Sequence, residues 1–300
     1  MSVLAIQSDA VTVGPSTVTP VKAAAHRLPL TARSYGMTDR GKIRETNEDQ
    51  FIIASLIRVL EVHNTSFPHT KVQRSCDQSP LFVVADGMGG HAGGEHASAI
   101  AIDSVETFIL GTFRWFSQCQ GREQDQVLAD FQSALGRANS CILAEAIVHP
   151  EWRGMGTTLT MAYSLNDVLY VAHAGDSRCY LSRDHHLNRL TTDHTLVADL
   201  VLAGAIPAAD APKHRLRHVI TNAVGGDSAD VKVEVHKVVL EAGDRLLLCS
   251  DGLTEMLTEE EMSRILLSEA EPEQICKQLV ARANEAGGRD NITVIVAHFE

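Results

Sequence analysis

The sequence predicts an α+β domain built from antiparallel strands and separate helices. Short apolar runs typical of buried strands alternate with longer stretches in which apolar residues recur at helical intervals. Several strands also follow one another directly, so the order of elements is neither a βαβ repeat nor all-β. With 300 residues, of which 44% are hydrophobic, the chain is long enough to bury a substantial core.

The first predicted elements are a strand over residues 51–62 and a buried strand over residues 81–85. The polar, proline-containing stretch from His63 to Pro80 is predicted to be a loop between them. Two helices are predicted next, over residues 97–110 and 123–147. Because the apolar residues of each fall on one face, both helices are expected to lie on a sheet.

A meander of three or four short antiparallel strands is predicted between Thr157 and Leu190, with turns at Asn166-Asp167 and Arg183-Asp184-His185. A helix is expected over residues 195–203, and the stretch 204–222, rich in Pro, Ala, His and Arg, is expected to form a surface segment. The last predicted elements are a strand, two helices and a final strand, over residues 244–249, 259–267, 272–285 and 292–298.

Charge and cysteine pattern exclude several classes of function. The 38 acidic and 26 basic residues give a formal net charge of -12, which argues against binding to nucleic acid or an anionic membrane. No apolar run approaches the roughly 20 residues of a membrane helix. The six cysteines are widely spaced without a C-x-x-C pair, which predicts buried thiols in a cytoplasmic protein. Residues 1–33 lack the pattern of a signal peptide and are expected to form a flexible tail.

Several acidic residues share one sequence context, in which a carboxylate ends an apolar run beside a glycine or a turn-forming residue. They are Asp86 in FVVADGMGG, Asp176 in YVAHAGDSR, Asp251 in LLLCSDGL and Asp290 in GGRDNITVI, with a further acidic pair, Glu48-Asp49, in RETNEDQF. Strand ends aim side chains into clefts, and glycine allows a substrate to come close. Converging carboxylates repel one another unless cations lie between them, so the pattern predicts a polynuclear site for Mg²⁺ or Mn²⁺.

Three other sites can be set aside. The segment GMGGHA after Asp86 matches a dinucleotide-binding fingerprint, but Asp86 would repel the pyrophosphate and the antiparallel meander cannot build the parallel sheet which that motif requires. His91, Glu95 and His96 have neither spacing of a zinc protease, and Gly93-Gly94 is expected to weaken a helix there. The sequence contains no P-loop.

Eight segments in one order resemble the bacterial branch of the PP2C-like (PPM) metal-dependent protein serine/threonine phosphatases. They are RGKIRETNEDQF, FVVADGMGGHAGGE, GMGTTLTMA, VAHAGDSRCYL, TTDHTLVADLV, VITNAVGG, LLLCSDGLTEML and GGRDNITVIV. The resemblance implies a catalytic domain over residues 34–300, with a flap at about residues 194–222. It also implies a four-layer αββα sandwich, in which two antiparallel sheets flanked by helices enclose the metal centre.

The resemblance implies metal-binding roles for the acidic residues. Asp86 would bridge two Mn²⁺ or Mg²⁺ ions, and Gly87 would contribute its carbonyl oxygen. Asp251 and Asp290 would complete the ligands of the first ion. Asp176, together with Asp251, would hold a third, weaker ion.

Further residues are implied around this centre. Glu48 and Asp49 would join the cluster through metal-held water, with Glu48 in its outer shell, and Arg44 would grip the phosphate. Eukaryotic members have DGH where this chain has DGM. The nearest histidine, His91, is shifted along the loop, so no general acid is assigned.

The chemistry expected of such a site is hydrolysis of phosphoserine and phosphothreonine monoesters by direct attack of a metal-bridging hydroxide. The guanidinium of Arg44 can form a fork of hydrogen bonds to phosphate and stays charged near neutral pH. Expected partners are phosphorylated proteins and an opposing serine/threonine kinase, and the family leads us to expect a monomer. The alternative hypothesis is a catalytically inactive relative that binds phosphoproteins; the presence of Asp86, Gly87, Asp251 and Asp290 favours the enzyme.

The flap contains the cations Lys213, Arg215 and Arg217. They could meet a phosphoprotein substrate or form an ordinary solvated loop, and the sequence leaves both alternatives open. Gly154 to Thr158 is expected to serve sheet packing and turn geometry.

Overall fold

The computed structural model describes residues 30–62, 72–89, 93–116, 124–165 and 167–300. Within these ranges the strands are β1 (Ala32–Asp39), β2 (Asp49–Glu61), β3 (Val72–Met88), β4 (Gly156–Thr157), β5 (Leu159–Leu165), β6 (Val168–Ala174), β7 (Arg178–Arg183), β8 (His186–Arg189), β9 (Val224–Gly225), β10 (Glu234–Val239), β11 (Arg245–Cys249) and β12 (Ile292–Phe299). The helices are α1 (Gly93–Phe116), α2 (Gln124–Val148), α3 (Leu196–Leu202), α4 (Asp251–Thr254), α5 (Glu259–Leu266) and α6 (Pro272–Glu285), with 3₁₀ turns over Pro150–Trp152 and Ala208–Lys213.

The strands form two antiparallel sheets. One has the order β1-β12-β11-β7-β8, and the other has the order β10-β6-β5-β3-β4-β9 with β2 paired to β3. Some strands that are far apart in sequence lie side by side. For example, β1 pairs with β12 along its whole length. Both ends of the described chain therefore belong to the same sheet.

Central strands are buried on both faces, and β11 shows why their apolar runs are continuous. Leu246 and Leu248 pack into the core between the two sheets. Leu247 and Cys249, which point the other way, pack against the helices α4, α5 and α6. Because successive side chains of a strand face opposite sides, a strand covered on both sides needs an uninterrupted apolar sequence.

Three cores separate the four layers. Helices α1 and α2 cover the larger sheet, with Ala101, Val105 and Leu135 among the residues of that core. Helices α4, α5 and α6 cover the smaller sheet, and a middle core around Phe82 and Ile295 joins the two sheets. The predicted αββα sandwich is confirmed.

The turns and the predicted helices agree well with this fold. Asp184 and His185, at the predicted hairpin turn between β7 and β8, have φ values of 51° and 63°. Positive φ at both central residues is the requirement of a type I′ hairpin. The other predicted turn contains Asn166, which lies outside the described residues. Helix α6 covers the predicted residues 272–285.

The predicted loop from His63 to Pro80 is wrong in its second half, because β3 already begins at Val72. Strands β2 and β3 pair from Asp49 and Asp86 to Glu61 and Val72. Residues 63–71 lie outside the described residues. Main-chain hydrogen bonds hold the arms of a hairpin whatever their side chains, so a polar arm carries no apolar signal in the sequence.

Strands β1 and β10 and the start of α1 are among the elements that the sequence did not predict. Neither β1 nor β10 contains a fully buried residue, so neither has the apolar run by which a strand is recognised. Gly93 and Gly94 do not prevent a helix, since α1 begins at Gly93. Both glycines lie in the first turn, whereas glycine destabilises a helix mainly in its interior.

Most of the cysteines that the structure places are buried, as the sequence predicts. Cys179, Cys249 and Cys276 are buried free thiols, and Cys141 is exposed. Cys119 lies outside the described residues. Among the described helices, none has the length and apolar character needed to cross a bilayer.

The core between the sheets should dominate stability. We expect Leu248→Ala, at a fully buried position of the middle core, to lower the free energy of unfolding by about 2–5 kcal/mol. Leu110→Ala, at a helix position that is 72% exposed, should change it by less than about 0.5 kcal/mol. Urea unfolding of both variants measures the difference, and similar losses would contradict the assignment of this core.

Candidate metal centre

Asp49 and Asp86 lie opposite each other on the paired strands β2 and β3. The backbone of Asp86 is fixed by two threonines. Its N–H donates to Thr158 Oγ1 at 3.0 Å, and its carbonyl oxygen accepts from Thr158 N–H at 2.8 Å and from the Thr157 hydroxyl at 2.9 Å. The segment Gly154 to Thr158 therefore positions a site residue in addition to pairing with the sheet.

Ser250 joins the two sheets at the site. Its hydroxyl donates to Asp49 Oδ2 at 2.8 Å and accepts from the backbone N–H of Thr293 at 2.9 Å. Ser250 is also the N-cap residue of α4, which starts with Asp251. One hydroxyl thus connects β2 of the larger sheet with β12 of the smaller sheet, directly beside Asp251.

Asn291 fastens the loop that leads to Glu48. Its side-chain amide donates to the carbonyl oxygens of Arg40 and Thr46, both at 2.9 Å, and its Oδ1 accepts from the N–H of Glu48 at 2.9 Å. On the other side, a Cβ added to Gly252 would lie 2.0 Å from the Asn291 carbonyl oxygen. Only glycine allows this approach next to Asp251.

Arg44 lies at the rim of the site. Its Nη2 donates to Asp290 Oδ2 at 2.6 Å, and its side chain is 54% exposed. This hydrogen bond raises the pKa of the Arg44 guanidinium above its ordinary value. Since a guanidinium has five N–H donors, Arg44 can keep Asp290 and still offer donors to a ligand.

Glu48 and Gly87 approach the start of α1. The N–H of Gly87 donates to the carbonyl oxygen of Glu48 at 3.2 Å, and the same oxygen accepts from the Ser98 hydroxyl at 2.8 Å. A Cβ on Gly94 would lie 2.3 Å from Glu48 Oε2 and 3.0 Å from the backbone carbonyl carbon of Gly87. Glycine at position 94 therefore leaves room for the Glu48 side chain and for the backbone of Gly87.

Asp176 lies in the turn between β6 and β7 and is 7% exposed. The preceding Gly175 has a φ of +120°, and a Cβ there would lie 2.5 Å from Thr158 Cβ. Thr158 also forms a 2.8 Å hydrogen bond with Ser177 Oγ. The turn of Asp176 and the backbone of Asp86 therefore rest on the same threonine.

The carboxyl groups perturb one another. Burial raises the pKa of Asp49 to about 6 and that of Asp176 to about 7. Burial also raises the pKa of Asp86 well above its usual range, and the charges of Asp49 and Asp251 add to the shift. The pKa of Asp251 rises for the same reasons, with Asp176 and Asp290 as the neighbouring charges. Each carboxylate is thus disfavoured by desolvation and by the others.

Two unpartnered carboxylate oxygen atoms indicate that this group fits a cation. Among the described residues, Oδ1 of Asp49 and Oδ1 of Asp251 are buried without a hydrogen-bond partner. A buried carboxylate oxygen without a partner is costly unless a cation binds it. Oxygen donors of this kind suit Mg²⁺ or Mn²⁺, so the residues fit a hard divalent cation.

A cleft of about 730 Å³ opens beside Asp176 and Asp251 and continues under the predicted flap. Of the flap cations, Arg217 has its Nε 3.8 Å from Glu255 Oε1. Nδ1 of the neighbouring His218 lies 2.8 Å from the same oxygen. The flap is therefore in contact with the helix turn that follows Asp251.

The structure brings the predicted acidic residues and Arg44 into one region, while their roles as ligands stay predictions. His91 lies outside the described residues. Sequence reasoning missed Ser250, Asn291 and Glu255. The first two are the direct neighbours of Asp251 and Asp290. Glu255 follows Asp251 by four residues, a spacing that places two side chains on one face of a helix.

Comparisons with known proteins agree with this geometry. The family model described as protein phosphatase 2C matches residues 70–290. The serine/threonine phosphatase stp of Listeria monocytogenes is 34% identical over 259 residues, covering 86% of this chain and 92% of that protein.

Solved structures are similar over most of the chain. The Mycobacterium tuberculosis serine/threonine phosphatase PstP/Ppp has a TM-score of 0.70 and 32% identity, covering 89% of this chain and 98% of that one. The catalytic domain of PstP in complex with two manganese ions has a TM-score of 0.69 and 32% identity, covering 90% and 99%. The chain therefore belongs to the protein phosphatase 2C family.

Proposed function

We propose that this chain is a metal-dependent protein serine/threonine phosphatase that hydrolyses phosphoserine and phosphothreonine in protein substrates. The observation that carries the proposal is the convergence of buried carboxyl groups, two of which hold oxygen atoms without a hydrogen-bond partner among the described residues. Similar proteins named as serine/threonine phosphatases support it, as does a relative's structure with two manganese ions.

The proposed cofactors are two Mn²⁺ or Mg²⁺ ions per chain. Asp86 would bind both ions, Gly87 would add its carbonyl oxygen, and Asp251 and Asp290 would complete the ligands of the first ion. Support comes from the electrostatic interaction of Asp86 with Asp251 and Asp290. When bound, two such ions acidify water and neutralise charge on the phosphoryl group.

Asp49 is proposed as a further metal-binding residue of this cluster, with Glu48 in its outer shell. Ser250 donates to Oδ2 of Asp49, while Oδ1 of Asp49 is buried without a hydrogen-bond partner among the described residues. Asp176, together with Asp251, is the proposed third and weaker site. Among the neighbouring charges, that of Asp176 contributes most to the raised pKa of Asp251, which supports the pairing of these two residues.

Arg44 is proposed to bind and orient the phosphate. Its exposure at the rim, its contact with Asp290 and its fixed charge suit this role. Charge-assisted hydrogen bonds from a guanidinium are strong and directional, so Arg44 would align the phosphorus atom with the acidic cluster.

The proposed partners are phosphorylated proteins and, as the opposing enzyme, a serine/threonine kinase. We propose that the protein acts as a monomer in the cytoplasm. Buried free thiols at Cys179, Cys249 and Cys276 support a reducing compartment.

The function is tested by hydrolysis of a phosphothreonine peptide with Mn²⁺, with Mg²⁺ or with excess EDTA. We expect phosphate release with metal only. Asp251→Asn should abolish it, because the variant loses a charged ligand, while Asp103→Asn, on the exposed side of α1, should keep full activity. Full activity of Asp251→Asn would overturn the site. Metal binding without hydrolysis of any peptide would favour a phosphoprotein-binding module.

Arg44→Lys tests the orienting role. Lysine keeps the charge but loses the planar fork of donors, so we expect kcat/KM to fall about 10-fold to 100-fold, the equivalent of one hydrogen bond to a charged group. Arg264→Lys, at an exposed position of α5, is the matched control. Unchanged steady-state kinetics of Arg44→Lys would show that Arg44 does not hold the phosphate.

A further inference from the structure

A second group of polar side chains lies next to the carboxylate cluster and has no role in the proposed chemistry. His173 of β6, His194 after β8 and Glu234 of β10 have ring nitrogen and carboxylate oxygen atoms within 4.8 Å of one another. Two imidazoles and a carboxylate form a donor set that suits zinc. The hydrogen bonds of the two rings decide whether a metal can bind.

His194 has no lone pair available for a cation. The backbone N–H of Gly175 donates to His194 Nδ1 at 3.1 Å. A backbone N–H can only donate, so Nδ1 is unprotonated, and the neutral ring carries its proton on Nε2. Nε2 lies 3.6 Å from Glu234 Oε2, which is consistent with a donor facing an acceptor.

Both ring nitrogens of His173 have oxygen partners. Its Nε2 lies 3.1 Å from the carbonyl oxygen of Thr192, which can only accept, and its Nδ1 lies 2.8 Å from the Thr160 hydroxyl. Burial lowers the pKa of His173 to about 4 and lowers that of His194, so both rings are neutral near pH 7. In this arrangement Nδ1 of each ring faces a hydrogen-bond donor and Nε2 of each ring faces an oxygen acceptor, which argues against zinc binding at this position.

The Nδ1 atom of His194 has a second donor at the other end of the flap. Asn222 Nδ2 lies 2.9 Å from it, and the Asn222 amide also exchanges two hydrogen bonds with the backbone of Lys232, at 2.8 and 2.9 Å. Asn222 is therefore held in place between the backbone of Lys232, which precedes β10, and the ring. One nitrogen atom accepts from the turn before Asp176 and from the end of the flap.

The backbone repeats this connection. The N–H of His194 donates to the Gly175 carbonyl oxygen at 2.7 Å, and the N–H of Thr221 donates to the His194 carbonyl oxygen at 2.9 Å. The neighbouring Thr195 forms a bridge with Ile220 and caps α3. The first and last residues of the flap therefore meet at His194, against the turn of Asp176.

We propose that His194 is a positioning residue whose Nδ1 atom fastens both ends of the flap to the turn that carries Asp176. The flap and Asp176 line the same cleft, so their relative position sets the shape of that cleft. The inference rests on the proposed function only where it assigns Asp176 to a cation. Loss of the hydrogen bond between Gly175 and Nδ1 would leave the turn of Asp176 less firmly held and would weaken the Asp176 cation site without removing a ligand.

Two isosteric variants separate the two ring nitrogens. In His194→Asn the amide oxygen is bonded to Cγ, as Nδ1 is in histidine, so this oxygen can replace Nδ1 as the acceptor. In His194→Gln the amide oxygen and nitrogen are bonded one carbon farther out and lie near the position of Nε2. The acceptor for Gly175 is then lost. A loss of packing alone would affect both variants, whereas the proposed role predicts rescue by asparagine only.

The first readout is nuclear magnetic resonance of the metal-free protein. We expect wild-type His194 and His173 to be neutral near pH 7 with the proton on Nε2, and the Gly175 amide to be protected from exchange. His194→Gln should lose this protection, and His194→Asn should keep it. A His194 proton on Nδ1 in the wild type would overturn the proposal without any variant.

The second readout is the affinity of the weakest Mn²⁺ site, identified as the site that Asp176→Ala removes. We expect His194→Gln to weaken it about 10-fold to 100-fold, as is typical when a group that orients a metal ligand is lost, and His194→Asn to leave it nearly unchanged. Equal affinities in the glutamine variant and the wild type would refute the proposal. If the protein shows no phosphatase activity but the exchange results hold, the proposed function fails and the positioning role stands.

Discussion

Repulsion between buried carboxylates is the constraint on which the rest of this structure depends. Asp49, Asp86, Asp176, Asp251 and Asp290 come from different strand ends and face one another within the sandwich. Neither desolvation nor mutual repulsion favours such a group. Burial raises the pKa of Asp49, Asp86, Asp176 and Asp251, and the charges of nearby carboxylates add to the shift. A structure that keeps them together must hold each backbone firmly and must gain a compensating interaction, which divalent cations can supply.

The four-layer sandwich supplies the firm support. Central strands that are buried on both faces leave their ends little freedom, and short hydrogen bonds then fix each end. Thr158 holds the backbone of Asp86, Ser250 connects Asp49 to the opposite sheet, and Asn291 ties the loop of Arg44 to the turn of Asp290. His194 extends this support to the turn of Asp176 and to the flap. The polar groups around the site therefore act mainly on backbone positions.

Local sequence context could predict the acidic cluster but not what holds it. Asp86 and Asp251 each end an apolar run, and that signal lies within a few neighbouring residues. The partners of Ser250 and Asn291 are more than 200 positions away, at Asp49 and Arg40, and no local pattern reports such a contact. The polar arm of β3 was not predicted, because main-chain hydrogen bonds can hold a strand whose side chains give no apolar signal in the sequence. The four layers were predicted from the family resemblance, since periodicity alone indicates only an α+β class.

Thermal unfolding of the wild type and of Asp86→Asn, each with and without Mn²⁺ at about pH 8, tests most directly whether cations compensate this repulsion. The raised pKa of Asp86 means that ionising it opposes folding, and this cost is present at pH values above the pKa of an unfolded aspartate. The account therefore predicts that Asp86→Asn has a higher Tm than the wild type without metal, and that Mn²⁺ raises the Tm of the wild type far more than that of the variant. A lower metal-free Tm for Asp86→Asn, together with an equal gain from Mn²⁺ in both proteins, would contradict it.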